Sequence, residues 1–395
     1  MKVLIVGGGG REHAIALKIK ENPEVTALYA VPGNGGIAQI ATCLPFKATD
    51  VDGIVRWAAE NKVDFVIVAP DDPLCLGMVD ALAEQGIPAF GPRKNAAIIE
   101  GSKVFSKNLM KKYGIPTAAY ETFDDYDAAV KYLQTADMPI VVKADGLALG
   151  KGVVIAQNEK EAFDAIASIM EDKIFGESGS QIVIEEFLTG PEVSVLSFTD
   201  GKTVKPMVSS MDHKRALDGD QGLNTGGMGT VAPNPYYTAD IAQQCMDTIF
   251  LPTIRAMQEE GRPFTGCLYF GLMLPPKGPK VIEYNCRFGD PETQVVLPLL
   301  DTDLVDIMLA IWNGTLDQLD IRWKNGCAAC VVMASGGYPK KYVTGLPISG
   351  LDENGQTANC FVYHAGTKLD DETFLTAGGR VLGVTATAET LPEAL

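Results

Sequence analysis

The chain has 395 residues, enough for roughly two to four domains, and its 46% hydrophobic content and 41 glycines are typical of an α/β protein. A formal net charge of −17 excludes a general nucleic-acid-binding or anionic-membrane surface. No apolar run is long enough to span a bilayer, and the N-terminus is a strand that runs into glycines rather than a signal peptide. The eight cysteines are therefore expected to be free thiols in the cytoplasm. We expect no nucleic-acid partner and no membrane partner.

The first segment predicts a strand over residues 2–6, a glycine turn, and a helix over residues 11–20. A dinucleotide-binding fingerprint requires G-x-G-x-x-G, and this turn lacks the third glycine, which disfavours a dehydrogenase. Since a helix N-terminus favours anions, we expect a phosphate site here. The alternative is a glycine turn that serves packing alone. The residues of this predicted site are Gly8, Gly9, Gly10 and Arg11.

Alternating elements continue to residue 90 and predict a parallel sheet with right-handed crossovers. The expected helices cover residues 51–60 and 77–85, and the expected strands cover residues 27–31, 65–69 and 87–90. The strand over residues 65–69 is expected to end at Pro70-Asp71-Asp72-Pro73, and a single helix is expected over residues 98–113. The pattern predicts an N-terminal doubly wound, Rossmann-like domain.

A glycine-rich segment from Lys143 to Gly152 joins two apolar strands. It is not a P-loop, because three residues rather than four separate Gly146 from Gly150, and a glycine rather than Ser or Thr follows Lys151. We interpret it as a mobile loop between strands that could fold over phosphates. A flexible surface hairpin is the alternative.

The second half predicts a hairpin over residues 193–209, a long polar loop over 211–230 and helices over 240–260 and 299–312. Loops of that length inside compact domains are usually functional or disordered. Strands expected at residues 328–334, 361–365 and 380–385 predict a small last domain. The C-x-x-C at Cys327 and Cys330 lies in one of these strands, so packing is favoured over a zinc or redox site.

The stretch from Lys280 to Gln294 carries the strongest chemical signal. On a strand, Glu283, Asn285 and Arg287 would project from one face. Carboxylate and amide oxygens suit Mg²⁺ or Mn²⁺, and a neighbouring guanidinium suits a substrate carboxylate or phosphate. A polar, solvent-facing strand edge is the alternative. Asp290 and Glu292 follow in a turn.

Several stretches occur in one order along the chain: VLIVGGGGREHA, VVKADGLALGKGVVIA, IVIEEFLTGPEVS, DHKR followed by NTGGMG, and VIEYNCRFGDPETQ. Together they resemble the phosphoribosylamine–glycine ligase (glycinamide ribonucleotide synthetase) family of the ATP-grasp superfamily. The resemblance implies a Rossmann-like domain at residues 1–101, an ATP-grasp domain at 102–324 with a lid subdomain at about 121–189, and a small C-terminal α+β domain at 325–395. The family normally continues beyond this point with a helix and a strand, so a truncated last domain is expected.

The resemblance implies that ATP, glycine and 5-phosphoribosylamine react through a glycyl phosphate to give glycinamide ribonucleotide, ADP and phosphate. It implies Mg²⁺ (or Mn²⁺) on Glu283 and Asn285, with Arg287, Asp290 and Lys143 in catalytic positions. The residues implied for ATP are Lys103, Lys143, Gly146, Gly150, Lys151, Gly152, Glu185, Phe187, Leu188 and Glu192. Those implied for the two substrates are Gly8, Gly9, Gly10, Arg11, Asn34, Asp212, His213, Lys214, Arg287 and Asp290. A monomer or dimer is expected.

This sequence departs from the family pattern in three places. Leu223 replaces a stiffening proline, Asp71-Asp72 replaces a more usual Glu-Ala, and Gly271 stands where many ATP-grasp enzymes carry a second metal-binding acid. A related carboxylate–amine ligase would keep the 143–152 and 283–287 motifs but not the 212–229 loop. A catalytically silent nucleotide-binding protein should have lost Lys143, Glu283 or Asn285, and all three are present.

Overall fold

The structure is a computed structural model that describes residues 1–147 and 152–395. It opens with a five-stranded parallel sheet in the order β3-β2-β1-β4-β5. The strands of this sheet are β1 (Lys2–Gly7), β2 (Ala27–Pro32), β3 (Thr42–Cys43), β4 (Phe65–Val68) and β5 (Ala89–Phe90). The helices around it are α1 (Gly10–Lys20), α2 (Val51–Glu60), α3 (Asp71–Leu76), α4 (Met78–Glu84) and α5 (Lys94–Gly101).

The apolar run of β1 is explained by burial on both faces of the sheet. Leu4 and Val6 belong to one core, which also holds residues of α2 and α4. Val3 and Ile5 belong to a second core, which holds the apolar face of α1. A parallel sheet covered on both sides needs apolar residues at successive positions, so the doubly wound arrangement predicted from the sequence is confirmed.

Two features of this region differ from the sequence analysis. The strand β4 ends before Pro70 as expected, but the following residues begin the helix α3, which was not predicted; a proline fits the first turn of a helix, where its missing N–H is not needed. The expected single helix over residues 98–113 is split into α5 and α6 (Lys103–Tyr113). Ser102 causes the break, since its extended backbone ends α5 and its hydroxyl accepts the Phe105 N–H at 3.0 Å to cap α6.

A small antiparallel unit follows, with strand order β6-β9-β7-β8. Its elements are β6 (Tyr120–Phe123), α7 (Tyr126–Leu133), β7 (Ile140–Ala144), β8 (Val153–Ala156), α8 (Glu159–Ile166) and β9 (Ile182–Glu186). A π-helical turn at Ala167–Glu171 extends α8. The two helices pack on one face of this sheet over a separate apolar core, so the unit is built to keep its own shape.

The next part of the chain forms a second antiparallel sheet and contributes strands to a third. Its strands are β10 (Glu192–Asp200), β11 (Val204–Pro206), β12 (Met211–Asp212), β13 (Arg215–Leu217), β14 (Gln221–Asn224), β15 (Gly229–Ala232), β16 (Thr265–Met273) and β17 (Lys280–Asn285). Its helices are α9 (Ala239–Cys245) and α10 (Leu251–Glu259), joined by a π-helical turn, then α11 (Thr293–Val296) and α12 (Leu304–Asn313). The second sheet has the order β11-β10-β16-β17.

The prediction of a long loop over residues 211–230 is wrong, because the segment folds into strands. β13 and β14 form a hairpin, and β12 and β15 pair with each other. The hairpin turns through Gly219 and Asp220, which both have positive φ. All four residues of β14 are exposed, so this strand lacks the apolar alternation by which strands are identified from sequence.

The third sheet has the order β12-β15-β18-β22-β19 and therefore joins residues 211–232 to the C-terminal part of the chain. The remaining elements are β18 (Cys327–Ala334), β19 (Phe361–His364), β20 (Thr367–Asp370), β21 (Thr373–Thr376), β22 (Arg380–Ala388) and α13 (Leu391–Ala394). The expected helix over 299–312 begins five residues later, at α12, where Asp303 caps its first turn. Among the described helices, none combines the length and apolar character that crossing a membrane requires.

Candidate active site

The predicted alternation of side chains along residues 283–288 is present. Glu283, Asn285 and Arg287 are half-buried, whereas Tyr284, Cys286 and Phe288 are buried. The strand β17 ends at Asn285, but the alternation continues for another three residues. Arg287 Nη2 donates to Asn285 Oδ1 at 3.2 Å, so the amide and the guanidinium project together as expected.

Glu283 is surrounded by positive charge. Burial would raise its pKa, yet the pKa is lowered because four basic side chains face the carboxylate: Lys214, Lys143, Lys103 and Arg287. These residues come from four separate segments of the chain. An ionised carboxylate within a group of cations suits a metal ion together with a polyanionic ligand such as a nucleotide triphosphate.

The donor set of β17 fits one hard divalent cation. Glu283 supplies an ionised carboxylate and Asn285 an amide oxygen, and Mg²⁺ commonly takes one or two protein ligands with phosphates and water completing the octahedron. Gly271 lies opposite Glu283 across the sheet, and a Cβ on it would come within 2.9 Å of the Glu283 Cγ. Over residues 1–147 and 152–395, no cluster of three or more His, Cys, Asp or Glu side chains could hold a metal.

Lys103 stands at the first position of α6, beside the start of the glycine-rich segment. Its Nζ donates to the Gly146 carbonyl at 3.0 Å, and its backbone N–H donates to the Asp145 carbonyl at 3.1 Å. The Asp145 carboxylate in turn accepts the Val104 N–H at 2.7 Å and the Ser102 hydroxyl at 3.0 Å. The break between α5 and α6 therefore fastens this segment to a helix N-terminus.

Lys143 connects the small antiparallel unit to β17. Its Nζ donates to the Ile282 carbonyl at 3.1 Å and lies 3.0 Å from Glu185 Oε1. Lys107 Nζ lies 3.2 Å from the same oxygen and donates to Thr117 Oγ1 at 2.7 Å. Glu185 is thus a buried carboxylate between two buried ammonium groups, at the end of β9.

The other residues predicted for ATP lie just after β7, just before β8 and just after β9. A Cβ on Gly146 would lie 2.3 Å from Ser178 Oγ, so a larger residue would force this turn away from its neighbour. Gly152 is buried and its carbonyl accepts the Ala144 N–H at 2.8 Å. Phe187 is 36% exposed and Leu188 is half-buried just after β9. The predictions for Gly150 and Lys151 lie outside the described residues.

Arg287 is fixed by carboxylates that the sequence analysis did not assign to the site. Its Nη2 donates to Glu100 Oε1 at 2.9 Å, and Glu100 Oε2 accepts the Cys286 N–H at 2.7 Å. Although burial would lower the pKa of Arg287, Glu100 and Asp71 raise it. The departure at Asp71 therefore places a carboxylate near the guanidinium, and the pKa of Asp71 is lowered by Arg287 and Arg11 against the effect of burial.

The DHK segment, which begins in β12, brings a further charge to Glu283. The pKa of Lys214 is raised well above its ordinary value, first by Asp212, so the ammonium group stays charged despite burial. Lys214 Nζ also donates to Glu192 Oε2 at 3.2 Å. His213 is exposed, and its backbone N–H donates to the Gly229 carbonyl at 2.9 Å. Of the three residues, Lys214 brings a half-buried positive charge to the site.

The glycine turn after β1 carries more negative charge than the sequence analysis expected. Glu12 Oε2 accepts the Gly9 N–H at 2.6 Å, and Asp290 Oδ2 accepts the Arg11 N–H at 3.2 Å. Arg11 Nε donates to Glu12 Oε1 at 2.7 Å. A phosphate that used these two backbone amides would have to displace carboxylates, which leaves the Arg11 guanidinium as the stronger attraction at this turn.

The side chain of Asn34 links the glycine turn to neighbouring backbone segments through hydrogen bonds. Its Nδ2 donates to the Gly8 carbonyl at 2.9 Å and to the His364 carbonyl at 2.7 Å. Its Oδ1 accepts the backbone N–H of Gly36 at 3.0 Å and of Ile37 at 2.9 Å. Gly8 must be a glycine, since a Cβ there would lie 2.3 Å from the Gly33 carbonyl oxygen.

Glu292 belongs to a buried polar group whose other members, Tyr269 and Ser194, the sequence analysis did not name. Tyr269 Oη donates to Glu292 Oε1 at 3.1 Å and lies 2.7 Å from Ser194 Oγ, and all three side chains are buried. Burial, followed by the nearby Asp212 charge, raises the pKa of Glu292 to about 7. Lys107 could have been identified from the sequence, because it lies four residues after Lys103 and therefore on the same face of α6. Glu100 and Tyr269 carry no motif that would mark them.

Three family models match successive parts of the chain. The phosphoribosylglycinamide synthetase N domain matches residues 1–100, the ATP-grasp (A) domain matches residues 101–293 and the C domain matches residues 328–395.

Curated relatives match over the whole chain. A phosphoribosylamine–glycine ligase of Halalkalibacterium halodurans is 48% identical, with 100% of this chain and 91% of the relative covered. One from Clostridium acetobutylicum is 47% identical, with 100% of this chain and 94% of the relative covered.

Solved structures support the same assignment. The phosphoribosylamine–glycine ligase of Thermotoga maritima has a TM-score of 0.87 at 32% identity, with 100% of this chain and 94% of that chain covered. A biotin carboxylase domain from Hydrogenobacter thermophilus, solved with MgADP, has a TM-score of 0.76 at 18% identity, with 100% and 87% covered, which is a likeness of fold alone. The predicted ATP-grasp architecture is confirmed, and the chain belongs to the phosphoribosylamine–glycine ligase family.

Proposed function

We propose that the protein uses ATP to join glycine to 5-phosphoribosylamine in de novo purine biosynthesis, giving glycinamide ribonucleotide, ADP and phosphate. The observation that carries this proposal is the convergence of Lys103, Lys143, Lys214 and Arg287 on the ionised Glu283. Transfer of a phosphoryl group to a carboxylate brings two anions together, and such a site offsets their repulsion. Full-length similarity to curated ligases of this name supports the same reaction.

Activation of the glycine carboxylate requires phosphorylation, because a free carboxylate would have to expel oxide. The terminal phosphoryl group of ATP would move to a carboxylate oxygen and give an acyl phosphate. The amine nitrogen would then attack the acyl carbon, lose a proton and release phosphate, which carries one oxygen that came from glycine. Arg287, which Glu100 holds at 2.9 Å, is suited to bind the glycine carboxylate. Asp290, whose carboxylate accepts the Arg11 N–H, would lie on the side of the amine substrate.

On the nucleotide side we propose that Lys103 and Lys143 contact the phosphates, and that the segment with Gly146, Gly150, Lys151 and Gly152 covers them. Glu185, Phe187 and Leu188 would meet adenine, and Glu192 the ribose. Glu283 and Asn285 would hold Mg²⁺ (or Mn²⁺), which when bound stabilises the charge of the transferred phosphoryl group.

The amine substrate would lie between the glycine turn and the β12 segment. Lys214 and Arg11 supply the positive charges for its phosphate, while Asp212, His213, Asn34 and the turn glycines Gly8, Gly9 and Gly10 form the surrounding wall. Support comes from Lys214, whose pKa is raised well above the ordinary value, and from Arg11, whose guanidinium is held by Glu12.

We also propose the domain division at residues 1–101, 102–324 and 325–395, with a lid at about 121–189, which the separate core of that unit supports. A cytoplasmic location is part of the proposal, supported by the eight cysteines, all free in the structure. The expectation of a monomer or dimer stays a prediction.

The test is an ADP-release assay with glycine, freshly made phosphoribosylamine and ATP, each omitted in turn. Full turnover should require all three together with Mg²⁺. With ¹⁸O in the glycine carboxylate, one label per turnover should appear in the released phosphate. AMP as the nucleotide product, or phosphate without label, would contradict the proposed reaction.

A further inference from the structure

Arg380, the first residue of β22, reaches from the third sheet (β12-β15-β18-β22-β19, the C-terminal sheet) into the candidate site. Its Nη1 donates to the Gly226 carbonyl at 2.7 Å, to the Asp290 carbonyl at 2.8 Å and to the Gly227 carbonyl at 3.4 Å. Its Nη2 lies 3.4 Å from Asp290 Oδ1. One guanidinium thus joins the NTGGMG segment to the turn that follows Arg287.

The two glycines of this segment make the contact possible. A Cβ on Gly226 would lie 2.9 Å from the Arg380 Cζ, so a larger residue would push the guanidinium off the backbone. Gly227 has φ +114, and a Cβ on it would lie 2.5 Å from the Pro291 Cδ. The Gly226 N–H also donates to Tyr338 Oη at 3.2 Å, a second contact from the C-terminal part of the chain.

Asp290 extends this arrangement to the N-terminal sheet. Its carboxylate accepts the Arg11 N–H at 3.2 Å and the Gln294 Nε2 at 2.9 Å. Burial would raise the pKa of Asp290, but Arg380 and then Arg11 outweigh burial and lower it. Without Arg380, Asp290 would lose its largest cationic partner, and the Gly226 and Asp290 carbonyls would lose a charged donor.

We propose that Arg380 is a positioning residue for the amine-binding half of the site. It holds the NTGGMG segment and Asp290 in one geometry, so that the C-terminal sheet is a working part of the site. The proposal rests on the proposed function. ATP contacts are assigned to Lys103, Lys143 and Glu185, which belong to other elements, so the effect of losing Arg380 should fall on the amine substrate.

The test compares R380A and R380K with the wild-type protein in the ADP-release assay. For R380A, the KM for phosphoribosylamine should rise about tenfold or more while the KM for ATP stays within about twofold, because the contacts of Arg380 hold only the amine-binding half of the site. For R380K we expect a similar rise, since a point-like ammonium cannot reach three carbonyl oxygens and a carboxylate. R322A is the matched control, because Arg322 is exposed and its nearest carboxylate contact is 3.9 Å away.

Free guanidinium ion distinguishes positioning from general loss of structure. Arg380 is partly exposed, so added guanidinium should enter the space left in R380A and lower the KM for phosphoribosylamine, with no effect on R322A. Hydrogen exchange of residues 221–228 should be faster in R380A. An unchanged amine KM, or an equal rise in the KM for ATP and for the amine, would overturn the proposal.

If R380A does not fold, R380K is judged by the same two outcomes. The wild-type protein is assayed first, which separates the two hypotheses. Absence of amine-dependent ADP release by the wild type would refute the proposed function, whereas normal wild-type turnover with an unaffected R380A would refute only the role of Arg380.

Discussion

The buried charges at Glu185 give a sharp prediction about stability. Glu185 Oε1 lies 3.2 Å from Lys107 Nζ and 3.0 Å from Lys143 Nζ, and the three side chains are 4%, 3% and 6% exposed in the order named. One carboxylate therefore compensates two ammonium groups. Replacing the carboxylate removes the compensation of both, whereas replacing Lys107 leaves a complete ion pair with Lys143.

E185Q should therefore be the most damaging change. Breaking a buried ion pair by removal of one partner costs about 3–5 kcal/mol, and here two like charges remain side by side. K107M should cost about 1–2 kcal/mol, because Glu185 keeps one cation and the methionine fills the space. The double variant K107M/E185Q removes one of the two uncompensated charges, so it should be more stable than E185Q alone by about 1–2 kcal/mol.

The assay is urea unfolding of the four proteins at pH 7, with the midpoint and the slope of each transition compared. K160M serves as a control, because Lys160 is 86% exposed in an ion pair with Asp164 and should leave the midpoint unchanged. If the two single effects simply add in the double variant, or if K107M is more damaging than E185Q, the account of the charges is wrong.

The pH dependence follows from the same cluster. Burial lowers the pKa of Lys107 from 10.5 to about 8, with Lys143 adding to the decrease and Glu185 opposing it. Between these two values the unfolded chain binds more protons at this residue than the folded chain does. The free energy of unfolding should therefore gain a contribution that rises from about pH 8 to about pH 10.5, and this contribution should be missing in K107M.

Three further predictions concern the candidate site. E283Q should keep the fold and lose about a hundredfold or more in turnover, and near-normal activity with an unchanged Mg²⁺ requirement would contradict the metal assignment. G271A should raise the Mg²⁺ concentration for half-maximal activity, because its Cβ would press on the Glu283 side chain at 2.9 Å; an unchanged requirement would count against that contact. The free energy of unfolding of the wild type should fall between about pH 4.5 and pH 7, because the folded protein keeps the Glu292 proton up to a pKa of about 7. E292Q should reduce this fall. A wild-type profile without this fall would exclude the raised pKa.

The sequence predicted the architecture well where burial gives a regular pattern. The apolar run of β1 leaves little choice of structure, and the strand lies where expected. The hairpin of β13 and β14 could not be predicted in the same way. Its residues are mostly exposed, so the pairing depends on backbone hydrogen bonds and on a turn with positive φ at Asp220 rather than on side-chain burial.

The candidate site was predictable only in part, for a related reason. The roles of motif residues such as Glu283 and Lys143 can be recognised from their neighbours in the sequence. The residues that orient the site cannot be recognised in this way, because Glu100 contacts Arg287 across 187 positions and Arg380 contacts Asp290 across 90. Those contacts exist only once the sheets have assembled. Glu12 is an intermediate case, since a glutamate three residues after a helix cap can bond back to the cap, and it does so at Gly9.

The charge arrangement also explains how an acidic protein can accept acidic substrates. The chain carries a net charge of −17, so its overall field repels ATP and a sugar phosphate. Around Glu283 the balance is reversed, because several cations face this carboxylate and keep it ionised. A metal ion that binds Glu283 at neutral pH therefore displaces no proton from it. The folded protein already holds this ligand in its ionised form before any substrate binds. Since the positive charge around Glu283 comes partly from Lys143 of β7 and partly from Lys214 after β12, the proposed metal site draws on both the small antiparallel unit and the third sheet.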